Sequence, residues 1–186
     1  MDLEEAIYRR RTVREFTAKP VEDNALQRLI DAAIQAPSAM NQQPWSFTVV
    51  RDQPLLDRIS CEAKAHLLST ASAGVTPLQI QNLLSNADFQ IFYHAPALIL
   101  ISAVGADAWA VEDCCLAAEN LMLTACAAGL GTCWIGFAQN WLGTPEGKAS
   151  LGLPATHLPV APIIVGHPKT PAPPVARKVS EVRWVG

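Results

Sequence analysis

The chain has 186 residues, half of them hydrophobic and 17% charged, with a formal net charge of -3. This composition predicts one globular domain, residues 1–186, with a sizeable core and no general attraction for nucleic acid, so any anion site must come from a local cluster of arginines. The amino terminus places acids before bases with no apolar stretch, which argues against a signal peptide, and no apolar run approaches the ~20 residues of a membrane span. Neither nucleic acid nor membrane is expected as a partner, and a cytoplasmic location is. The five cysteines, Cys61, Cys114, Cys115, Cys126 and Cys133, lie mostly in apolar stretches without a CxxC pair and read as buried reduced thiols. The four histidines are dispersed with no HExxH, so a metal site has little support.

Asp2 followed by Glu5 is a capping box for a short helix whose Leu3, Ala6 and Ile7 recur at helical spacing. That helix runs into Arg9, Arg10, Arg11 and Arg14, crowded around Thr12. Charge runs are commonly solvated turns, but guanidinium forks beside a hydroxyl also suit a phosphate monoester. A second helix is predicted from Asp23 to Ala36, with Leu26, Leu29, Ile30, Ala33 and Ile34 as its stripe and Pro37 as its end. The polar loop Ser38 to Trp45 then leads into a strand, Ser46 to Val50; it is either a ligand-reading loop or an ordinary connection. A helix from Pro54 to about Leu68 carries Leu55, Ile59, Ala63 and Leu67 on one side. A small-residue loop, Ser69 to Thr76, and a shorter helix, Pro77 to Asn86, follow. The aromatic patch Phe89, Phe92, Tyr93, His94 leads into a continuous apolar run of strand length, Ala97 to Val104.

From Ala108 to Ala128 nearly every face of a helical wheel is apolar, with Asp107 to cap the start and Gly129 to stop it. A chain this small lacks the surface to bury such a helix alone, so part of it is expected in a subunit interface. A strand from Thr132 to Ile135, a brief helix opened by Thr144-Pro145 and a strand from Pro159 to Gly166 complete the regular elements. The proline-rich tail Pro168 to Val175 ends in the basic pair Arg177-Lys178 and a possible terminal strand. Gly129, Gly131 and Gly136 follow a helix where a dinucleotide fingerprint must precede one, Gly143 to Lys148 is one residue short of a P-loop, and no GxSxG elbow occurs.

Three stretches, Arg10-Arg11-Thr12-Val13-Arg14-Glu15-Phe16, Ser38-Ala-Met-Asn41-Gln-Gln43-Pro44-Trp45 and Gly129-Leu-Gly131-Thr-Cys-Trp-Ile-Gly136, together resemble the FMN-dependent nitroreductase family in order and spacing. Ala95-Pro96 before a buried strand and Arg177-Lys178 before a terminal strand extend the resemblance over essentially the whole chain. It implies an α+β, three-layer fold with a mixed β-sheet between helices. It also implies an intertwined homodimer whose C-terminal arm reaches the partner and whose FMN sites draw on both subunits.

Carried over by motif, Arg10 resembles a phosphate ligand, Arg11 and Thr12 stand beside it, and Arg14 would reach the flavin's pyrimidine edge. Arg177 is similar to a second phosphate arginine, assisted by Lys178. Pro37, Ser38, Ala39 and Asn41 would come from the other subunit, and Cys133, Trp134, Ile135 and Gly136 would lie along the flavin. Asn82 stands as a guess for a family asparagine in a region that matches poorly. No side chain is assigned a catalytic role beyond the electrostatic one of Arg14. The implied mechanism is ping-pong: NADH or NADPH gives hydride to FMN and leaves, and a small nitroaromatic, quinone or related acceptor takes the electrons. The alternatives are an FMN carrier or sensor without turnover, or a specialised relative such as a flavin-destroying benzimidazole synthase or a deiodinase-like reductase. Ser69 to Asp88 leaves little room for the lid that such relatives tend to carry.

Overall fold

A computed structural model describes residues 1–70, 77–105 and 108–186. Its elements in order are α1 (Leu3–Arg9), α2 (Asp23–Ala33), a short 3-10 turn (Ala39–Asn41), β1 (Trp45–Val50), α3 (Gln53–Thr70), α4 (Leu78–Ser85), β2 (Ala97–Val104), α5 (Ala110–Ala127), β3 (Gly131–Trp134), α6 (Gly136–Leu142), α7 (Pro145–Ser150) and β4 (His157–Gly166). The small-residue loop's residues 71–76 and the expected cap Asp107 lie outside the described residues.

The uninterrupted apolar run of β2 has a simple cause: the strand is central, in a sheet of order β1-β2-β4-β3, and both its faces are covered. Ile99 and Ile101 face a core shared with α2 and α5, while Leu98 and Leu100 face a second core shared with α3 and α6. Each of these four side chains is fully buried, a contribution of roughly 1.5–3 kcal/mol apiece. The result is three layers, helices on both sides of one sheet.

All the strand pairs are antiparallel, so the expected mixed sheet is corrected: among the described residues its parallel character is a single bridge between Thr12 and Thr132. The expected terminal strand is not formed either. Residues 171–186 have no regular structure, and Val179, Val182, Trp184 and Val185 stand exposed, with no strand among the described residues pairing with them.

Local chemistry accounts for the helix ends. Asp2 caps α1 by accepting from Glu5 N at 2.8 Å, but Glu5 turns away to pair with Arg9, which leaves the capping box half made. Thr144 caps α7 from Gly147 N, with Pro145 at the first position. Gly129 follows α5 at φ +75, the left-handed stop its sequence suggested. Helix α6 was not foreseen, since its seven residues follow β3 without a connecting loop. Among the cysteines, Cys114 and Cys133 are buried and Cys126 is half-buried, whereas Cys61 and Cys115 are exposed on the outer sides of α3 and α5. Neighbours in sequence point about 100° apart around a helix, so Cys114 can be buried while Cys115 is exposed.

Candidate functional site

The arginine turn is fixed by the strand beside it. Val13 N donates to Thr132 O at 2.9 Å, and Thr12 bridges Thr132, so residues 12–13 ride on β3. Gly131 makes this possible: a Cβ there would stand 2.7 Å from Val13 Cβ. Arg11 Nη1 donates to the carbonyls of Tyr8 and Arg10, both at 2.7 Å, and so satisfies the end of α1. Arg11 Nε is buried without a hydrogen-bond partner among the described residues. Arg10 reaches back along α5, its Nε 3.6 Å from Glu119 Oε1.

The tail arrives at this turn by pairing with it. Phe16 bridges Pro168, Thr17 N donates to His167 O at 2.9 Å and Lys169 N to Glu15 O at 3.0 Å. The tail then runs alongside, and a cavity of about 450 Å³ opens between the two, lined by Arg10, Arg11, Thr12, Arg14, Ala172, Pro173, Val175 and Arg177. Two stretches from opposite ends of the sequence thus bring four arginines and one threonine to the lining of one cavity. A second cavity of about 530 Å³ lies on the other side of Arg10 and Arg11, under the proline-rich strap.

Arg14 joins the turn to the β3 wall. Its Cζ is 5.9 Å from the centroid of the Tyr93 ring, and its positive charge is near enough to act on the Tyr93 phenol and the Cys133 thiol. Burial pushes both of those groups above their ordinary values, and the guanidinium pulls each part of the way back. Both therefore keep their protons at neutral pH. Along the wall Cys133 and Ile135 are buried, Trp134 is half-buried, and Ile135 N is engaged by Pro162 O at 2.7 Å. Gly136 is the open position, with nothing within 4 Å of where a Cβ would stand.

The amide loop is anchored elsewhere. Buried Asp113, in the first turn of α5, accepts from Ala39 N through both oxygens, at 3.1 and 3.2 Å. Ser38 Oγ accepts from Gln43 N at 2.9 Å, and Asn41 Oδ1 from Gln43 Nε2 at 2.8 Å. Met40, Asn41 and Gln43 all have φ near +50, a strained run that these bonds hold in place. The two anchors, Asp113 and the residues just past Ala127, are about 20 Å apart at a helical rise of roughly 1.5 Å per residue. Neither cavity is lined by Pro37, Ser38, Ala39 or Asn41. Lys178 and Asn82 are exposed, the first on the arm and the second on α4, and neither lines them. Sequence reasoning missed Tyr93. A signal existed in α3, whose polar Gln53, Asp57, Ser60 and Lys64 repeat at helical spacing and grip the segment that carries it.

A three-layer α+β domain with a basic cleft along β3, half of its expected ligand loops held at the far end of α5, defines the class. The chain belongs to the nitroreductase family, which it matches over residues 7–167. It is 31% identical over 164 residues to an Archaeoglobus fulgidus protein described as an NADH dehydrogenase/NAD(P)H nitroreductase, covering 88% of this chain and 83% of that one. It is 30% identical to the NADPH-flavin oxidoreductase of Vibrio harveyi, covering 88% of this chain and 65% of that one. A nitroreductase with bound FMN from Bacteroides fragilis superposes with a TM-score of 0.85 at 26% identity, over 100% of both chains. Among the described residues no helix is long and apolar enough to cross a membrane.

Proposed function

We propose that each chain binds one FMN and acts as an NAD(P)H-dependent oxidoreductase on nitroaromatic, quinone or related small acceptors. The observation that carries this reading is the convergence of Arg10, Arg11, Arg14 and Arg177 on one cavity beside β3. The donor set fits a phosphate monoester: guanidinium forks, the Thr12 hydroxyl, and the buried unpartnered Arg11 Nε, which an acceptor oxygen would satisfy. FMN, when bound, supplies hydride and electron transfer between NADH or NADPH and the acceptor.

The chain's own residues hold and orient. Arg10 and Arg177 bind phosphate, with Thr12 donating its hydroxyl and Lys178 assisting. Arg14 presents positive charge to the pyrimidine edge, which favours the reduced, anionic state electrostatically. Cys133, Trp134, Ile135 and Gly136 form a wall, the buried pair excluding water and glycine leaving room for close approach. None of them is asked to transfer a proton. Ser38, Ala39 and Asn41 complete the site from a second subunit, as their distance from the arginine turn in one chain supports. Leu3, Ile7, Tyr8, Val111 and Leu116 on α1 and α5 are exposed, as are Trp184 and Val185 on the arm, so both have apolar surface for a homodimer to cover.

The test is direct. The purified protein should carry one FMN per chain, and Arg10→Ala should weaken its binding by about 1.5–3 kcal/mol, the range for a charged hydrogen bond. Anaerobic NADH or NADPH should bleach the bound flavin. Bound flavin that neither nucleotide bleaches would make the chain a carrier or sensor.

A further inference from the structure

Four polar side chains on one face of α3 grip the same stretch of chain, residues 86–95. Gln53 Nε2 donates to Ala95 O at 2.9 Å, and Asp57 Oδ1 accepts from Gln90 Nε2 at 2.9 Å. Ser60 Oγ accepts from Ile91 N at 3.0 Å, and Lys64 Nζ donates to Asn86 O at 2.9 Å and Phe89 O at 2.6 Å. Ser60 and Lys64 are themselves buried, so these bonds form away from competing water.

The gripped stretch is strained. Tyr93 and His94 sit at φ +53 and +51, where residues other than glycine are uncommon, and such conformations persist only where the surroundings over-determine them. What the strain achieves is the placement of one ring. Tyr93 packs edge-on against Phe89, centroids 5.7 Å apart, and Phe89 against Phe137 at 6.4 Å. From there the Tyr93 ring lies under the Arg14 guanidinium, 5.9 Å from centroid to Cζ, and the cation's charge acts on both the Tyr93 phenol and the Cys133 thiol. Arg14 is otherwise exposed, and a long side chain in water samples many rotamers unless something holds it.

We propose that Tyr93 is a positioning residue: held by the α3 clamp, its ring and phenol fix the Arg14 guanidinium against β3 and so set the electron affinity of the bound cofactor. The inference rests on the reading of Arg14 as the flavin's pyrimidine neighbour. It goes beyond that reading by assigning a role to Tyr93 and to the polar face of α3.

The experiment has two arms. In the first, without cofactor, Tyr93 is observed as the sole phenol in a Tyr8→Phe chain by NMR of isotope-labelled tyrosine; the chain has only these two tyrosines. Adding Arg14→Ala should raise the phenol's pKa further, because burial remains and the cation's pull is gone. An unmoved titration overturns the contact. In the second arm, the midpoint potential of bound FMN is measured in Tyr93→Phe, Arg14→Ala and the double variant. Tyr93→Phe should favour oxidised over reduced FMN by about three- to tenfold, the weight of one hydrogen bond. Arg14→Ala should shift the potential further in the same direction, and the double variant should match Arg14→Ala alone. A merely structural Tyr93 would lower FMN occupancy or melting temperature and leave the potential of the bound fraction unchanged, which overturns the proposal while sparing the flavin reading. No shift from Arg14→Ala with FMN still bound overturns the placement of Arg14, and the proposal with it. If Tyr93→Phe does not fold, Lys64→Met, which loosens the same stretch from α3, should move the potential likewise, and an unchanged potential overturns the proposal.

Discussion

The two candidate ligand-binding stretches of this chain are built in opposite ways. The arginine turn is held by backbone pairing to β3 and by the returning tail, and with that tail it lines a cavity that the same chain walls in. The amide loop hangs from one buried carboxylate at the first turn of α5, turns its hydrogen bonds inward, and leaves Met40 91% exposed. One stretch encloses a cavity, and the other faces outward. On the reading proposed above, a single chain holds two half-sites, with α5 as the spacer between them and as apolar surface for a second chain to cover.

The largest effect that would break this contrast comes from Gly131. A methyl there collides with Val13, so Gly131→Ala should lift the arginine turn off β3, destabilise the fold by roughly 1–3 kcal/mol and abolish FMN retention. Thermal denaturation and flavin content measure both. At the other end, Asp113→Ala should cost about 1–3 kcal/mol by stranding the Ala39 N–H, with Asp113→Asn losing less because its amide oxygen still accepts. Chemical denaturation of the pair gives the ordering, and no loss from Asp113→Ala would show that the carboxylate is not the loop's anchor.

Smaller effects sharpen the contrast. Both Cys61 and Cys115 are exposed in the single chain, but Cys115 lies beside Leu116 on the outer face of α5. A thiol reagent should therefore modify Cys61 in the native protein and reach Cys115 only after dilution separates the subunits; mass mapping distinguishes them. The smallest effect concerns alkaline pH. Burial, then the neighbouring Cys115 and Asp113, push the Cys114 thiol from 9.0 up to about 12. The unfolded chain loses that proton at the lower value, so the thiol's contribution is complete below about pH 9 and is lost as pH climbs towards 12. Melting temperature should fall across that window, and less steeply in Cys114→Ala.

Much of the fold was legible because local chemistry and tertiary need agreed. The β2 run, the Thr144-Pro145 start, the Asp2 cap and the Gly129 stop each follow from a pattern that the packed structure preserves. The arginine cluster with Arg177 was legible through its resemblance, and the structure brings Arg10, Arg11, Thr12, Arg14 and Arg177 to one cavity. What escaped depends on partners distant in sequence. Helix α6 carries no loop signal ahead of it. Tyr93 gains its meaning only from Arg14 across the fold and from polar residues on α3, a helix whose apolar stripe is the stronger sequence signal. The terminal strand finds no partner among the described residues, so its sequence pattern alone does not form it.

The central claim, that Arg10 and Asn41 of different subunits meet in one site, is tested most directly by mixing defects. Arg10→Ala and Asn41→Ala homodimers should each be inactive. Unfolded and reassembled together, about half of the dimers are mixed, and each mixed dimer has one doubly defective site and one intact site, so activity should return to roughly a quarter of wild type by two-fold symmetry. Heterodimers confirmed by mass that regain no activity would contradict the shared site.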